Sequence, residues 1–226
     1  MKNIEEIKIK NLFSLDQTIA KELLEKYEYP WEVLPHIEEF ILELGKKLPS
    51  DEYILRDENV WVHKDAKIFD SAYIKGPAII CKGAEIRHCA FIRGKAIIGE
   101  GAVVGNSTEV KNSIFFNEAK APHYNYVGDS ILGYKAHMGA QALTSNVKSD
   151  KKLVTIKCGE EKIETNLKKT GGFLGDNVEV GCGSVLNPGT IVGKDSNIYP
   201  LSSVRGVVPA NHIYKNKNEI ILKEKD

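Results

Sequence analysis

Of the six histidines in the chain, His123 is the one whose setting could do chemistry. It stands in KAPHYNYVGDSILG, residues 120–133, with Tyr126 three positions on. A histidine titrates near neutrality, so it can take a proton from an attacking nucleophile. The stretch interrupts a strict six-residue repeat, and a segment ejected from a repeat is a better candidate for function than the repeat itself. His63 and His88 fall at second or third places of the repeat, which face solvent or a neighbouring subunit, and read as structural. His36 and His212 carry no signal, and His137, which closes a repeat near the same region, stays open between binding and packing. Cys81, Cys89, Cys158 and Cys182 show neither CxxC nor zinc-ligand spacing, so they read as reduced thiols and no metal is expected.

The repeat is what must position these residues. From Val62 the chain reads VHKDAK, IFDSAY, IKGPAI, ICKGAE, IRHCAF, IRGKAI, IGEGAV, VGNSTE and VKNSIF, ending at Phe115. The first place is always Val or Ile, and the fifth is Ala in the first seven hexads. A short fixed period means one unit stacked on itself around a continuous core. Each hexad makes one flat face of a triangular coil, and three complete a turn. The phase returns at Leu132 with LGYKAH and MGAQAL, breaks over 147–173, and resumes at Leu174 with LGDNVE, VGCGSV, LNPGTI, VGKDSN and IYPLSS. The two breaks predict an ejected loop over 116–130 and an arm over 147–173. LVTIKCGEEKIETNL alternates apolar and polar residues around Gly159, as a projecting β-hairpin does.

Residues 1–55 have a different period. Ser14 to Gln17 has the form of a capping box, and Ile19, Leu23, Leu24 and Tyr27 share one helical face. Pro30 opens a second helix with a stripe at Leu34, Ile37, Ile41 and Leu44, which predicts a helical hairpin. The organisation expected is therefore a helical region over 1–55, a β-helix over 56–210 and a tail over 211–226. Lys+Arg and Asp+Glu are 31 each, so no global field draws the chain to nucleic acid or an anionic membrane. No apolar run approaches the length of a membrane span and no leader pattern is present, which reads as a cytoplasmic protein.

The wording FIRGKAIIGEGAVVGNSTEVKNS, APHYNYVGD and LTSNVKSDKK, followed by GDNVEVGCGSVLNPGT, resembles a known family over roughly residues 75–206. It is that of the hexapeptide-repeat, left-handed β-helix acyltransferases. The likeness is to the acetyltransferase domain of bifunctional glucosamine-1-phosphate acetyltransferase/N-acetylglucosamine-1-phosphate uridyltransferases and of the archaeal sugar-1-phosphate nucleotidylyltransferases. The resemblance implies left-handed coils, a homotrimer with sites between subunits, and acetyl-CoA as acyl donor. It also implies an amino-sugar 1-phosphate acceptor (glucosamine or galactosamine 1-phosphate), as in UDP-N-acetylglucosamine biosynthesis. By the same likeness His123 is the general base and Asn146 a further catalytic group. Arg93, Lys111, Tyr126, His137 and Lys152 contact the acceptor, and the main chain at Ala140, Cys182 and Pro200 lies along coenzyme A. The chain departs from the family at His137, where an asparagine is usual, and at Gln141, where glycine is. No Gly-rich phosphate loop precedes the repeats, so uridyl transfer is not expected. Three alternatives remain: an acyltransferase for another amino sugar or sugar nucleotide, a non-catalytic binding or scaffold protein, and a zinc-type hydratase. The last is weak, because Glu118 and Gly128 stand five residues either side of His123 where a second histidine ligand is needed.

Overall fold

The computed structural model describes residues 4–217 and 219–223. Its body is a left-handed parallel β-helix of about 9 turns. The first face stacks Val60–His63, Ala78–Ile80 and Ala96–Ile98, then the ends of Glu109–Phe115 and Tyr126–Leu132, then Gly172–Leu174, Thr190–Val192 and Val207–Val208. The second runs Lys67–Ile68, Glu85–Ile86, Val103–Asn106, Lys120–His123, His137–Met138, Glu179–Val180, Asn197–Ile198 and His212–Asn216. The third carries the outward column Tyr73, Phe91, Glu109, Tyr126, Leu143, Val185 and Ser203. The branched first-place residues and small fifth-place residues fill the prism, from Val62, Ile80 and Ala84 down to Val208.

Residues 116–130 are not an ejected loop. They form a coil: Lys120–His123 pairs in register with Val103–Asn106, and Tyr126–Leu132 with Glu109–Phe115. The phase slips because the corner between third and first faces is one residue short twice. Val110 leads to Ser113 and Val127 to Ser130 in three steps, where Ile92 leads to Ala96 in four. Tight corners demand left-handed backbone, and Asn112 (φ 47°) and Asp129 (φ 50°) provide it. Asn and Asp tolerate that region better than most residues.

The helical hairpin also differs. The region is built of short pieces, chiefly helices at Ile9–Leu12 and Lys21–Leu24, a 3-10 segment at Pro30–His36 and a helix at Ile37–Gly45. Ser14 caps no helix. Its amide and hydroxyl both donate to Asp176, at 2.8 and 2.7 Å. The apolar stripes bury Leu12, Leu24, Trp31, Ile37 and Ile41 against the outer side of the first face, at Ile79, Ile97, Ile114, Ile131 and Phe173. The arm is a hairpin, Thr155–Cys158 with Glu161–Glu164. It does not project: Ile156 and Cys158 join that same outer layer. Residues 212–217 and 219–222 are no loose tail either, since His212–Asn216 extends the second face and pairs antiparallel with Glu219–Leu222. Among the described residues no helix is long and apolar enough to cross a membrane.

Candidate active site

Two neighbouring corners of the prism collect most of the residues singled out from sequence. At the corner between second and third faces, main-chain hydrogen bonds step from coil to coil. Tyr124 N donates to Asn106 O, Gln141 N to His123 O, Gly183 N to Ala140 O and Leu201 N to Cys182 O. His123, Ala140, Cys182 and Pro200 therefore stand in one column. Gly139 and Gly181 beside it have no room for a side chain. A Cβ on Gly139 would lie 2.8 Å from Cys182 N, and one on Gly181 2.4 Å from Pro200 N. The main chain lies flush there, along a groove of ≈ 560 Å³ lined by Gly139, Cys182, Tyr199 and Pro200.

His123 is exposed, at the end of its strand. Its position is set by Asn125, which sequence reasoning passed over. Asn125 occupies a fifth place, where the repeat puts a small inward residue, and is only 3% exposed. A buried amide must be paired, and this one is. It accepts from His123 N at 3.0 Å and donates to Gly139 O and Ala142 O, both at 2.8 Å. The loss of phase at Phe115 hid the position; read with the slip, the polar residue in an alanine slot is the signal.

The shortened corner between third and first faces holds the second cluster. Asp129, 4% exposed, takes Lys111 Nζ at 3.3 and 3.2 Å, Asn112 Nδ2 at 2.8 Å and Asn146 Nδ2 at 2.5 Å. Asn146 Nδ2 also donates to the Tyr126 hydroxyl at 3.1 Å. Burial, then the Asp129 charge, push the Tyr126 phenol above its ordinary pKa. Arg93 pairs with Glu109 at 2.6 Å, and that hydrogen bond raises its pKa further, with smaller effects from Tyr126 and Asp129. Asp129 and Glu109, the anions facing both cations, were not read from sequence, because neither stands out from the polar corner residues of every coil.

Two residues fall elsewhere. His137 lies on the second face, stacked between Lys120 and Glu179, with Nδ1 2.7 Å from the Glu179 carboxylate. It lines the groove of the His123 column and not the Lys111 corner. Lys152 is exposed at the start of the arm, its amide donating to Asp150 at 3.1 Å. Among the described residues no group of three or more His, Cys, Asp or Glu could hold a metal ion.

Comparison with known proteins agrees with this architecture. The bifunctional protein GlmU of Methanococcus aeolicus is 36% identical over 121 residues, 54% of this chain and 29% of that protein. The bifunctional sugar-1-phosphate nucleotidylyltransferase/acetyltransferase of Sulfurisphaera tokodaii is 34% identical over 111 residues, 49% of this chain and 28% of that one. An uncharacterised acetyltransferase of Escherichia coli K12, YaiX, is 29% identical over 179 residues, 78% of this chain and 77% of that one. The chain spans less than a third of the length of the first two relatives. The GMPPB C-terminal domain family matches residues 74–221, which include both corners. The chain belongs to that family, with the left-handed β-helix of the hexapeptide-repeat acyltransferases.

Proposed function

We propose that the chain is an acetyl-CoA-dependent N-acetyltransferase acting on an amino-sugar 1-phosphate, glucosamine 1-phosphate or galactosamine 1-phosphate. One observation carries this reading. The third face runs between a corner where an exposed histidine stands in a flush main-chain column and a corner that gathers Tyr126, Asn146, Lys111 and Arg93. The names of the relatives, two with acetyltransferase in them, point the same way.

The flush column at Ala140, Cys182 and Pro200 would hold the extended arm of the donor, which supplies an acyl thioester when bound. An amino sugar at neutral pH is largely an ammonium ion and cannot attack a thioester. The ammonium first gives one proton to solvent; His123 then accepts a second from the nitrogen as the nitrogen–carbon bond forms, and passes it to the thiolate released when the carbon–sulfur bond breaks. Main-chain N–H groups of the column are the available donors for the oxyanion. Phosphate is read by Arg93 and Lys111. The exposed Arg93–Glu109 pair is worth little in water, so a phosphate can displace Glu109 from the guanidinium. Lys152 and His137 complete the acceptor and donor walls in this reading. A homotrimer would add a second wall to the third face, where Tyr73 and Phe91 are exposed.

The pairing of both cations favours a second reading, a non-catalytic sugar-nucleotide-binding or scaffold domain. One assay separates the two: acetyl-CoA with a panel of amino sugars and their 1-phosphates, thiol release being measured. Turnover that falls about 10²- to 10⁴-fold in His123→Ala is expected of a general base. Binding without turnover in the wild type selects the second reading. Activity of His123→Ala within twofold of wild type removes His123 as the base.

A further inference from the structure

The Asp129 cluster contains more direction than a set of contacts. The side chains on its carboxylate all present N–H donors: Lys111 Nζ to both oxygens, Asn112 Nδ2 to Oδ1 and Asn146 Nδ2 to Oδ2. A carboxylate surrounded by donors can only accept, which forbids the flipped amide of Asn146, since that would set carbonyl oxygen against carboxylate oxygen. Asn146 Nδ2 has two hydrogens. One goes to Asp129 and the other to the Tyr126 hydroxyl, so both donors are spent inside the protein. The amide then has only its carbonyl to offer. Tyr126, already accepting, keeps its own O–H proton to give away. Gly128 belongs to the same device, because a Cβ there would lie 2.5 Å from the Tyr126 hydroxyl and move it.

We propose that Asp129 is a positioning residue that sets the hydrogen-bond polarity of the acceptor site. It leaves Asn146 Oδ1 as an acceptor and the Tyr126 hydroxyl as a donor toward the sugar. The acceptor class this selects carries an N–H or O–H donor toward Asn146 and an oxygen toward Tyr126, which a vicinal amino alcohol supplies. This rests on the transferase reading above.

The test is a polarity swap. Asp129→Asn frees Asn146 to flip, and Asn146→Asp sets two carboxylates together; each lowers kcat/KM about 10- to 100-fold, as loss of one charged hydrogen bond does. The double variant combines Asp129→Asn with Asn146→Asp. In it the new amide at position 129 donates to the new carboxylate at position 146 and restores that pairing, but the oxygen now facing Tyr126 takes the phenol proton inward and leaves Tyr126 an acceptor toward the sugar. A Tm recovered toward wild type with kcat/KM still at least tenfold below it is expected; a double variant within about twofold of wild-type kcat/KM overturns the proposal. A measurement without catalysis accompanies it. The ¹³Cζ resonance of Tyr126, assigned with Tyr126→Phe, reports its ionisation. Removing the charge in Asp129→Asn lowers the Tyr126 pKa, while Asn146→Ala, which removes a hydrogen bond that lowers it, raises it. If Asp129→Asn is not recovered folded, the Asn146→Ala shift decides, and no shift overturns the proposal. A wild type inactive on every amino-sugar phosphate defeats the proposed function, and the Tyr126 titration still decides the network.

Discussion

Asn125→Ala tests whether the corner bearing His123 is held from inside the prism. The wild-type amide pairs three main-chain groups at 2.8, 2.8 and 3.0 Å. Gly139 O keeps a partner after truncation, because Ala142 N also donates to it at 3.1 Å. His123 N and Ala142 O lose the one side chain that serves them. Each main-chain group left unpaired away from water costs about 1–3 kcal/mol, and His123 N, close to solvent, falls at the low end. The sum is about 2–4 kcal/mol. For a chain of this size that is a fall in Tm of roughly 5–15 °C. The same truncation frees the corner bearing His123 from the turn at Gly139–Ala142, so kcat falls by roughly tenfold or more at temperatures where the variant is fully folded. Calorimetry and thiol-release kinetics on the same preparation measure both. Asn125→Asp keeps the acceptor for His123 N and loses the two donors, so its kcat should lie nearer wild type than its Tm does. An Asn125→Ala protein with Tm within about 2 °C of wild type and unchanged kcat would refute the argument.

Three other outcomes follow from the geometry. Arg93→Ala should raise KM for a phosphorylated acceptor about 10- to 100-fold and leave the unphosphorylated one nearly unchanged, since it removes a charge-assisted hydrogen bond, whereas Lys111→Ala, which also strips a donor from Asp129, should weaken both acceptors and the phosphorylated one more; equal effects of Arg93→Ala on both acceptors would show that it does not read phosphate. In the native protein a disulfide reagent should modify Cys89 and Cys182, which are exposed, and spare the buried Cys81 and Cys158; coenzyme A should slow Cys182 and not Cys89, and equal rates would take the donor out of that column. Burial pushes the Cys81 thiol up to about 12 and raises the phenols of Tyr53 and Tyr126; because the folded values exceed the unfolded ones, their contribution is complete below about pH 8.5–10 and is lost as pH rises through the folded values, so Tm should hold from about pH 7 to 8 and decline above about 9, and a flat profile to about pH 10.5 would contradict it.

The prism was legible in the sequence because its physics is local. A branched residue at the first place and a small one at the fifth are demanded by every coil, and Val62 to Val110 meet that demand without a gap. What stayed hidden depends on partners far along the chain. Ser14 looks like a helix cap, yet it is taken by Asp176, 162 residues away. The alternation of the arm shows a hairpin, but nothing in LVTIKCGEEKIETNL says that Ile156 will pack on the chain's own first face. That docking needs Gly189, where a Cβ would stand 2.7 Å from Ile156, and Gly206, where it would stand 2.9 Å from Lys157 O. The site divides the same way. His123 and Tyr126 announce themselves by type and spacing, whereas Asp129 and Asn125 are polar residues among many until the corner that buries them is known.

A repeat stacks identical corners, and identical corners cannot make a site; the departures from the repeat do. Two deletions shorten the corner between third and first faces at Lys111–Asn112 and at Gly128–Asp129. The insertion that becomes the arm leaves and re-enters beside the same corner, where Thr170 N donates to Asn146 O and Gly171 N to Asp129 O. The re-entry is close: a Cβ on Gly171 would stand 2.1 Å from Gly128 O. Left-handed backbone at a non-glycine residue costs about 1 kcal/mol or more. At Asp129 that cost is offset by the four hydrogen bonds its carboxylate accepts. The strained corner persists because the cluster it creates stabilises it, so the fold retains the one place among the described residues where a lysine, two amides and a tyrosine meet around a buried carboxylate.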